Sequence, residues 1–280
     1  MYAAFKPVLA VIAVVAGAAL VATAALLAYD ATSQAAPLPV HQRPTVVLVH
    51  GAWADTSSWD GEVAALRDDG YDVRAISNPL QGLTSDAASV TSFLRSIEGP
   101  IVLVGHSYGG AVITEAAAGI PNVEALVYVD AAAPDVGETN GSLSGADSVL
   151  EQRPRTELFD EVPGPGGATS LYLNRDVFVD DFANDLPREE ALRLWATQRT
   201  AAAAAFDTPA TKAAWRAIPS WYFISSGDRI ITPASERAMA ERAHSRVTEF
   251  SGGSHLSLIS QPEAVTAVIE SAAHSLQPSG

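Results

Sequence analysis

The chain has 280 residues, a net charge of −15 and no cysteine. The lack of cysteine excludes a thiolate nucleophile, a thiolate metal site and disulfides. The acidic balance argues against nucleic acid and anionic membrane surfaces as partners, because both repel negative charge. Hydrophobic residues make up 48% of the chain, which is enough for the core of one α/β domain.

Residues 1–30 are interpreted as a signal peptide or membrane anchor. Residues 8–28 carry no charge, follow Lys6 and are long enough to cross a bilayer as a helix. Candidate cleavage sites lie at 22–24 and 33–35, so cleaved export, an uncleaved anchor and a buried core helix stay open. Export or anchoring would place the domain that follows outside the cytoplasm, with Lys6 on the inner side. Residues 31–44 contain three prolines and are predicted to be a linker.

Beyond the linker, apolar runs alternate with helical patterns, which predicts an α/β fold. The predicted strands cover residues 45–49, 72–76, 101–104, 125–129, 221–225 and 246–250. The first of them, TVVLV, is typical of a strand that is buried on both faces. We predict a six-stranded, mainly parallel sheet with helices on both faces, since right-handed crossovers require that arrangement. The last helix is predicted to begin with a capping box from Ser260 to Glu263.

Residues 134–215 interrupt the alternation and divide the core into segments 45–133 and 216–280. This stretch is acidic, contains the run EVPGPGG at 161–167 and shows several short helical patterns. It is too long for a simple connection. We therefore predict an inserted, mostly helical lid over the carboxyl ends of the strands, where functional sites of α/β sheets lie.

Residues 105–109 read GHSYG, a G-x-S-x-G pattern between a predicted strand and a predicted helix. In that setting the turn exposes the hydroxyl of Ser107, and a Cβ at Gly105 or Gly109 would collide with neighbouring backbone. The pattern indicates Ser107 as a nucleophile. The alternative is an ordinary turn in which Ser107 caps the helix.

A serine nucleophile needs a general base, and His255 is the predicted one. It lies in the loop after the last predicted strand, at the sheet edge that carries Ser107. The other histidines lie in the linker, at a strand end, in the turn that carries Ser107 and at helix ends (His41, His50, His106, His244 and His274). His106 is expected to point away from the site. A solvated loop histidine is the alternative for His255.

Asp228 follows the fifth predicted strand and is expected to orient His255, which gives the chain order Ser, Asp, His. Asp130 is the rival carboxylate, and a turn cap is the alternative role for Asp228. The backbone N–H groups of Ala52 and Tyr108 are predicted to form the oxyanion hole.

Pocket candidates are aromatic. Trp53 is expected to line the pocket or to pack in the core, and four aromatic residues of the insertion carry the same two alternatives: Phe178, Phe182, Trp195 and Phe206. Nothing in these residues implies a metal or an organic cofactor.

Four motifs together resemble the α/β-hydrolase superfamily: HGAW at 50–53, GHSYGG at 105–110, SGDRIITP at 226–233 and SHLSLISQP at 254–262. The insertion, with YLNRDVF, FANDLP and WATQRTAAAAAF, resembles the lid of plant methyl esterases and hydroxynitrile lyases. The lyase branch has Thr and Lys where this chain has Gly51 and Leu256, so the resemblance implies hydrolysis and not cyanohydrin cleavage. Serine at the nucleophile position argues against dehalogenase and epoxide-hydrolase chemistry.

Together these residues predict a serine hydrolase that cleaves small, largely apolar carboxylic esters through a covalent acyl-enzyme. The expected partner is a small-molecule ester, the only expected membrane contact is the N-terminal segment, and the oligomeric state stays open. One alternative is a cofactor-free perhydrolase with the same triad. The other is a non-catalytic ligand-binding protein on the same fold. The intact set of Ser107, Asp228 and His255 argues against this second alternative.

Overall fold

A computed structural model describes residues 43–276. The predicted targeting segment and nearly all of the predicted linker lie outside the described residues. None of the helices within residues 43–276 combines the length and the apolar character that a bilayer crossing requires. The strands of this part are β1 Thr45–Val49, β2 Val73–Ile76, β3 Ile101–His106, β4 Val123–Val129, β5 Phe159–Pro163, β6 Thr169–Leu173, β7 Ala201–Ala202, β8 Ser220–Ser225 and β9 Arg246–Phe250.

Six of these strands form the central sheet, in the order β2-β1-β3-β4-β8-β9. Every neighbouring pair is parallel, and Val47 of β1 lies between Arg74 of β2 and Leu103 of β3. All five residues of β1 are buried, as expected for a continuous apolar strand covered on both faces. The predicted six-stranded parallel sheet is therefore confirmed.

Helices cover both faces of the sheet, as predicted. The core helices are α1 Asp60–Asp68, α2 Leu83–Leu94 and α3 Tyr108–Ala116, and after the insertion come Pro233–Arg242, Ser257–Ser260 and Pro262–Ser275. The predicted capping box is wrong. The last helix begins at Pro262 with Gln261 as its N-cap, and Ser260 ends the preceding short helix and donates its hydroxyl to Asp185 at 2.5 Å.

The insertion contains short helices and a small antiparallel sheet. Its helices are α4 Val149–Gln152, α5 Arg155–Leu158, α6 Arg175–Val177, α7 Arg188–Ala196 and α8 Ala204–Asp207, with a π-helical turn at Phe178–Phe182. Its sheet has the order β5-β6-β7, which the sequence did not predict. The Pro- and Gly-rich run connects β5 and β6 as a hairpin, closed by Gly164 N–H donating to Ala168 at 2.7 Å.

The parallel sheet determines where the polar residues of the sequence motifs meet. The carboxyl ends of β1, β3, β4, β8 and β9 lie at one edge, because all six strands run in the same direction. The loops that leave this edge carry the predicted nucleophile, base, acid, rival acid and oxyanion donors.

Candidate active site

Ser107 lies in a strained turn between β3 and α3. Its backbone has φ 54° and ψ −125°, an unusual conformation for a residue with a Cβ. A Cβ on Gly109 would lie 2.3 Å from the carbonyl oxygen of Val49, so only glycine allows this close packing of the turn against β1. The Ser107 side chain makes no capping hydrogen bond to α3, which removes the ordinary N-cap alternative.

The Ser107 hydroxyl lies within hydrogen-bond distance of His255. Ser107 Oγ is 2.7 Å from His255 Nε2, and His255 Nδ1 is 2.6 Å from Asp228 Oδ2. Asp228 Oδ1 also accepts the backbone N–H groups of Ile230 at 2.7 Å and Ile231 at 3.1 Å. These two donors fix the carboxylate, which in turn fixes the imidazole. The structure thus brings together the three residues predicted to act as nucleophile, base and acid.

Asp130 is close to this chain of hydrogen bonds without belonging to it. Its carboxyl accepts the N–H and hydroxyl of Ser225, at 2.7 and 3.0 Å, and the hydroxyl of Ser257. Carboxyl oxygens of Asp130, Asp228 and Glu236 lie within 4.8 Å of one another, and all three side chains are buried.

The three carboxyls differ in the groups that stabilise their charge. Burial raises the pKa of each. Repulsion from Asp228 raises the pKa of Asp130 further, and repulsion from Asp130 and from Asp228 raises that of Glu236. Hydrogen-bond donors oppose the effect at Asp228, where Ile230 and Ile231 donate, and at Asp130, where Ser225 and Ser257 donate. Within residues 43–276, neither carboxyl oxygen of Glu236 has a hydrogen-bond partner. Of the three carboxyls, Asp228 is the one that contacts the imidazole of His255.

The environment of His255 keeps its ring neutral and fixed. The residue is fully buried, and burial lowers the pKa of the imidazole, so Nε2 can accept a proton at neutral pH. His106 does not point away as predicted. Its Nε2–H donates to the His255 carbonyl oxygen at 2.7 Å, because β3 continues to His106 and this ring falls where the His255 loop packs.

The loop after β1 brings the first predicted oxyanion donor to the nucleophile. A Cβ on Gly51 would lie 2.6 Å from Ser107 Cβ, so the backbone before Ala52 lies against the turn that carries Ser107. His50 Nδ1 lies 2.8 Å from Gly51 O, and its Nε2 accepts Asn78 N–H at 3.0 Å. His50 thus shapes this loop, a role that the sequence analysis missed.

The second predicted donor, Tyr108 N–H, lies in the first turn of α3, where N–H groups lack intrahelical acceptors. The Tyr108 hydroxyl donates to Asp86 Oδ2 at 2.8 Å. Asp86 also accepts the N–H groups of Gln81 and Gly82, at 3.0 and 3.2 Å. Asp86 is buried and holds Tyr108 in place. The signal that could have found it is an acidic residue on the apolar face of α2, in the first turn of that helix.

Aromatic side chains of the loop and the insertion cover the site. The Phe182 ring lies 5.0 Å from the His255 ring and 5.9 Å from the Trp53 ring, centroid to centroid. Phe178 contacts Phe182 at 4.9 Å, and Phe206 stacks on Trp53 at 5.2 Å. A cavity of about 340 Å³ adjoins this cluster, and Trp53, Phe178 and Leu256 are among its lining residues.

Trp195 does not belong to this cluster. It lines a groove on another part of the insertion with Asn174 and Val177, and its indole N–H donates to Leu173 O at 3.1 Å. Its position on α7 turns the ring toward β6, so the prediction that Trp195 lines the substrate pocket is not supported by the geometry.

The insertion is attached to the loop that carries Asp228. The buried Asp181 carboxylate lies 3.3 Å from Arg229 and 3.1 Å from Arg153, and Asn184 donates to Gly227 O at 3.3 Å. These contacts hold the π-helical turn, and with it Phe182, against the site.

The sheet order, the nucleophile turn and the hydrogen-bonded Ser, His and Asp side chains define an α/β hydrolase. Residues 46–268 match the alpha/beta hydrolase family, and the chain belongs to that family.

Comparison with individual proteins gives the same class. The chain is 29% identical over 254 residues to the alpha/beta hydrolase nvfD of Aspergillus novofumigatus, covering 82% of this chain and 97% of that protein. It is 26% identical over 260 residues to methylesterase 18 of Arabidopsis thaliana, covering 83% and 98%. The crystal structure of polyneuridine aldehyde esterase superposes with a TM-score of 0.70 at 18% identity, over 82% of this chain and 99% of that one.

Proposed function

We propose that this hydrolase cleaves small, largely apolar carboxylic esters through a covalent acyl-enzyme on Ser107. The observation that carries the proposal is the continuous set of contacts from Ser107 Oγ to His255 Nε2 and from His255 Nδ1 to Asp228. The similarity to methylesterase 18 supports an ester as the substrate. The aromatic cluster around Trp53 supports an apolar one.

In the proposed reaction, Ser107 Oγ attacks the ester carbonyl carbon while His255 Nε2 takes the hydroxyl proton. The resulting oxyanion accepts the N–H groups of Ala52 and Tyr108, each expected to contribute roughly 3 kcal/mol to transition-state stabilisation. The tetrahedral intermediate collapses, the C–O bond to the alcohol breaks, and His255 returns its proton to the departing alkoxide. Water then attacks the acyl carbonyl carbon while His255 Nε2 takes a proton from it. The bond from the acyl group to Ser107 Oγ breaks, and His255 returns the proton to Ser107, which releases the acid.

Asp228 acts through His255 in this scheme. Its carboxylate holds the Nδ1–H tautomer and stabilises the imidazolium that forms when Nε2 takes the proton. The partly closed site also matters, because Ser107 is only 5% exposed and the aromatic rings keep bulk water away from the reacting atoms.

The proposal is tested with purified protein, a p-nitrophenyl ester series and a fluorophosphonate probe. We expect turnover that is highest for short acyl chains, and one equivalent of probe on Ser107 located by peptide mass spectrometry. Ser107→Ala should lose both turnover and labelling while its circular dichroism spectrum stays unchanged. Ester turnover that survives in Ser107→Ala would contradict the mechanism.

We also propose that the N-terminal segment exports the chain or anchors it with the catalytic domain outside the cytoplasm. The support is the uncharged run 8–28 behind Lys6. Cell fractionation of the host and N-terminal sequencing of the isolated protein test the proposal. Full-length chain in the soluble cytoplasmic fraction would contradict it.

A further inference from the structure

We infer that Arg199 of the insertion is a positioning residue for the proposed oxyanion hole, and that it acts through His50 on the peptide that carries the Ala52 N–H. The inference rests on the proposed ester hydrolysis. Arg199 lies just before β7 and reaches the loops that follow β1 and β2. Its Nη1 atom lies 3.3 Å from His50 Nε2, 2.9 Å from Ser77 Oγ and 3.1 Å from Asn78 O.

The side chain of His50 controls the direction of one peptide group beside the nucleophile. Its Nδ1 atom lies 2.8 Å from Gly51 O, the carbonyl oxygen of the peptide whose N–H belongs to Ala52. The C=O and N–H groups of a trans peptide point in opposite directions, so the direction of the carbonyl fixes that of the N–H. Within residues 43–276 the Ala52 N–H donates to no backbone carbonyl, and the backbone of Gly51 lies against Ser107. The hydrogen bond from His50 therefore orients a proposed oxyanion donor.

The hydrogen bond from His50 requires the imidazole proton on Nδ1, because the Gly51 carbonyl only accepts. The other ring nitrogen, Nε2, faces two groups that only donate, the Asn78 N–H at 3.0 Å and the Arg199 guanidinium. Nε2 therefore accepts, and the proton lies on Nδ1. Arg199 supports this tautomer in a second way, since it also holds the Asn78 carbonyl and with it the segment that presents the Asn78 N–H.

The charge of Arg199 also helps to keep the His50 ring neutral. Burial lowers the pKa of His50 to about 4, and the positive charge of Arg199 contributes to the decrease, while the carboxylate of Asp55 opposes it. His106 is a further titratable neighbour, and burial lowers its pKa as well. A proton on His50 Nε2 would face a backbone N–H and a guanidinium, which are both donors. Protonation of His50 would therefore break the contacts that orient the ring.

Arg199 is held by the insertion strand that follows it. The N–H of Ala202 on β7 donates to Leu80 O at 2.9 Å, and β7 pairs with β6. This bond joins the insertion to the segment after β2, so the base of the Arg199 side chain lies beside residues 77–80. The insertion thus reaches the oxyanion loop from an anchored strand.

Kinetics of Arg199→Gln on p-nitrophenyl acetate tests the inference. We expect kcat to fall about tenfold while KM stays within about twofold, because only the transition state carries the oxyanion. Trifluoroacetophenone is the second probe, since its tetrahedral adduct on Ser107 carries the same oxyanion, and its inhibition constant should rise by a similar factor. Arg188→Gln is the matched control, because Arg188 pairs only with Asp180 of the insertion, at 3.0 Å and exposed to solvent. This control should change neither quantity.

The pH profile of kcat distinguishes positioning through His50 from a purely structural role. Arg199→Gln removes a charge that lowers the pKa of His50, so this pKa should rise toward its ordinary value of 6.5. The loss of kcat on acidification should therefore begin at higher pH than in wild type. Arg199→Lys keeps the charge on a shorter side chain, so its acid limb should stay in place although its kcat falls.

A double-mutant cycle shows whether Arg199 acts through His50. In a His50→Ala background, Arg199→Gln should lower kcat little further, because the group it positions is absent. Thermal unfolding checks that each variant is folded, and the pH profile of Arg199→Gln keeps the test decisive if His50→Ala does not fold. An unchanged kcat, an unmoved acid limb, or a loss that adds fully to that of His50→Ala would each overturn the inference. Wild-type protein inactive on every ester would instead overturn the proposed function.

Discussion

Asp228 and Asp130 place carboxyl oxygens within 4.8 Å of one another, yet only Asp228 contacts His255. The difference comes from the loops after β8 and β4. The backbone N–H groups of Ile230 and Ile231 aim Asp228 at the imidazole, whereas Ser225 and Ser257 hold Asp130 behind it. Two aspartates at neighbouring strand ends thus have different chemical tasks.

Substitution of each aspartate by asparagine should separate these tasks. Asp228→Asn removes the charge that stabilises the imidazolium and favours the wrong tautomer, so kcat should fall by about 10³ to 10⁴. Asp130→Asn changes a carboxyl that does not contact His255 and should keep kcat within about threefold. Steady-state kinetics on p-nitrophenyl acetate measures both. The opposite ranking would assign the acid to Asp130.

Ser107 and His255 should act as one unit. Ser107→Ala and His255→Ala should each reduce turnover to near background, and the double variant should be little slower than either single variant. The reason is that the serine attacks only when the imidazole takes its proton, so either loss stops the same step. Single-turnover measurements, with thermal unfolding as a check of folding, test this. Additive losses would indicate that the two residues act separately.

The sequence predicts the sheet and the Ser, Asp, His order well, because both depend on local signals. Continuous apolar runs mark buried parallel strands, and Gly105 and Gly109 mark a turn that tolerates no Cβ. Contacts between residues that are far apart in the chain leave no such local signal. The run from Glu161 to Gly167 becomes part of a hairpin because β5 pairs with β6, which in turn pairs with β7. Ser260 bonds to Asp185 across 75 positions instead of capping the next helix.

The pocket residues were also not predictable from local sequence signals. Phe182 and Trp195 are both aromatic residues in an amphipathic part of the insertion, and sequence alone treats them alike. Only the packing shows that Phe182 lies on His255 and that Trp195 faces another groove. Likewise, His106 supports the His255 loop through a contact between residues 149 positions apart.

Phe182 and Trp195 therefore form a matched pair for mutagenesis. Phe182→Ala removes the ring that covers His255 and should change acyl-chain preference across a p-nitrophenyl ester series by about tenfold. Trp195→Ala should leave the preference unchanged. Both substitutions are expected to lower stability, because each removes a packed aromatic ring. Equal changes in preference for the two variants would mean that stability, and not the pocket, controls selectivity.

Glu62 gives a prediction about stability and pH. It lies on α1, is fully buried, and neither carboxyl oxygen has a hydrogen-bond partner within residues 43–276. Burial raises the pKa of this carboxyl to about 9. A raised pKa means that the folded chain keeps a proton that the unfolded chain releases. The contribution of Glu62 to stability is therefore complete below the ordinary carboxyl pKa and is lost as the pH rises toward 9.

Glu62→Gln removes this titration while it keeps the shape of the side chain. The free energy of unfolding of the variant should rise relative to wild type by up to about 1.4 kcal/mol per pH unit between about pH 5 and 8. Urea titrations at several pH values measure the difference, and Glu124→Gln, at the exposed second position of β4, is the control. A buried amide has a fixed cost of its own, which shifts the difference equally at every pH. A difference that does not change with pH would show that Glu62 is ionised in the folded protein.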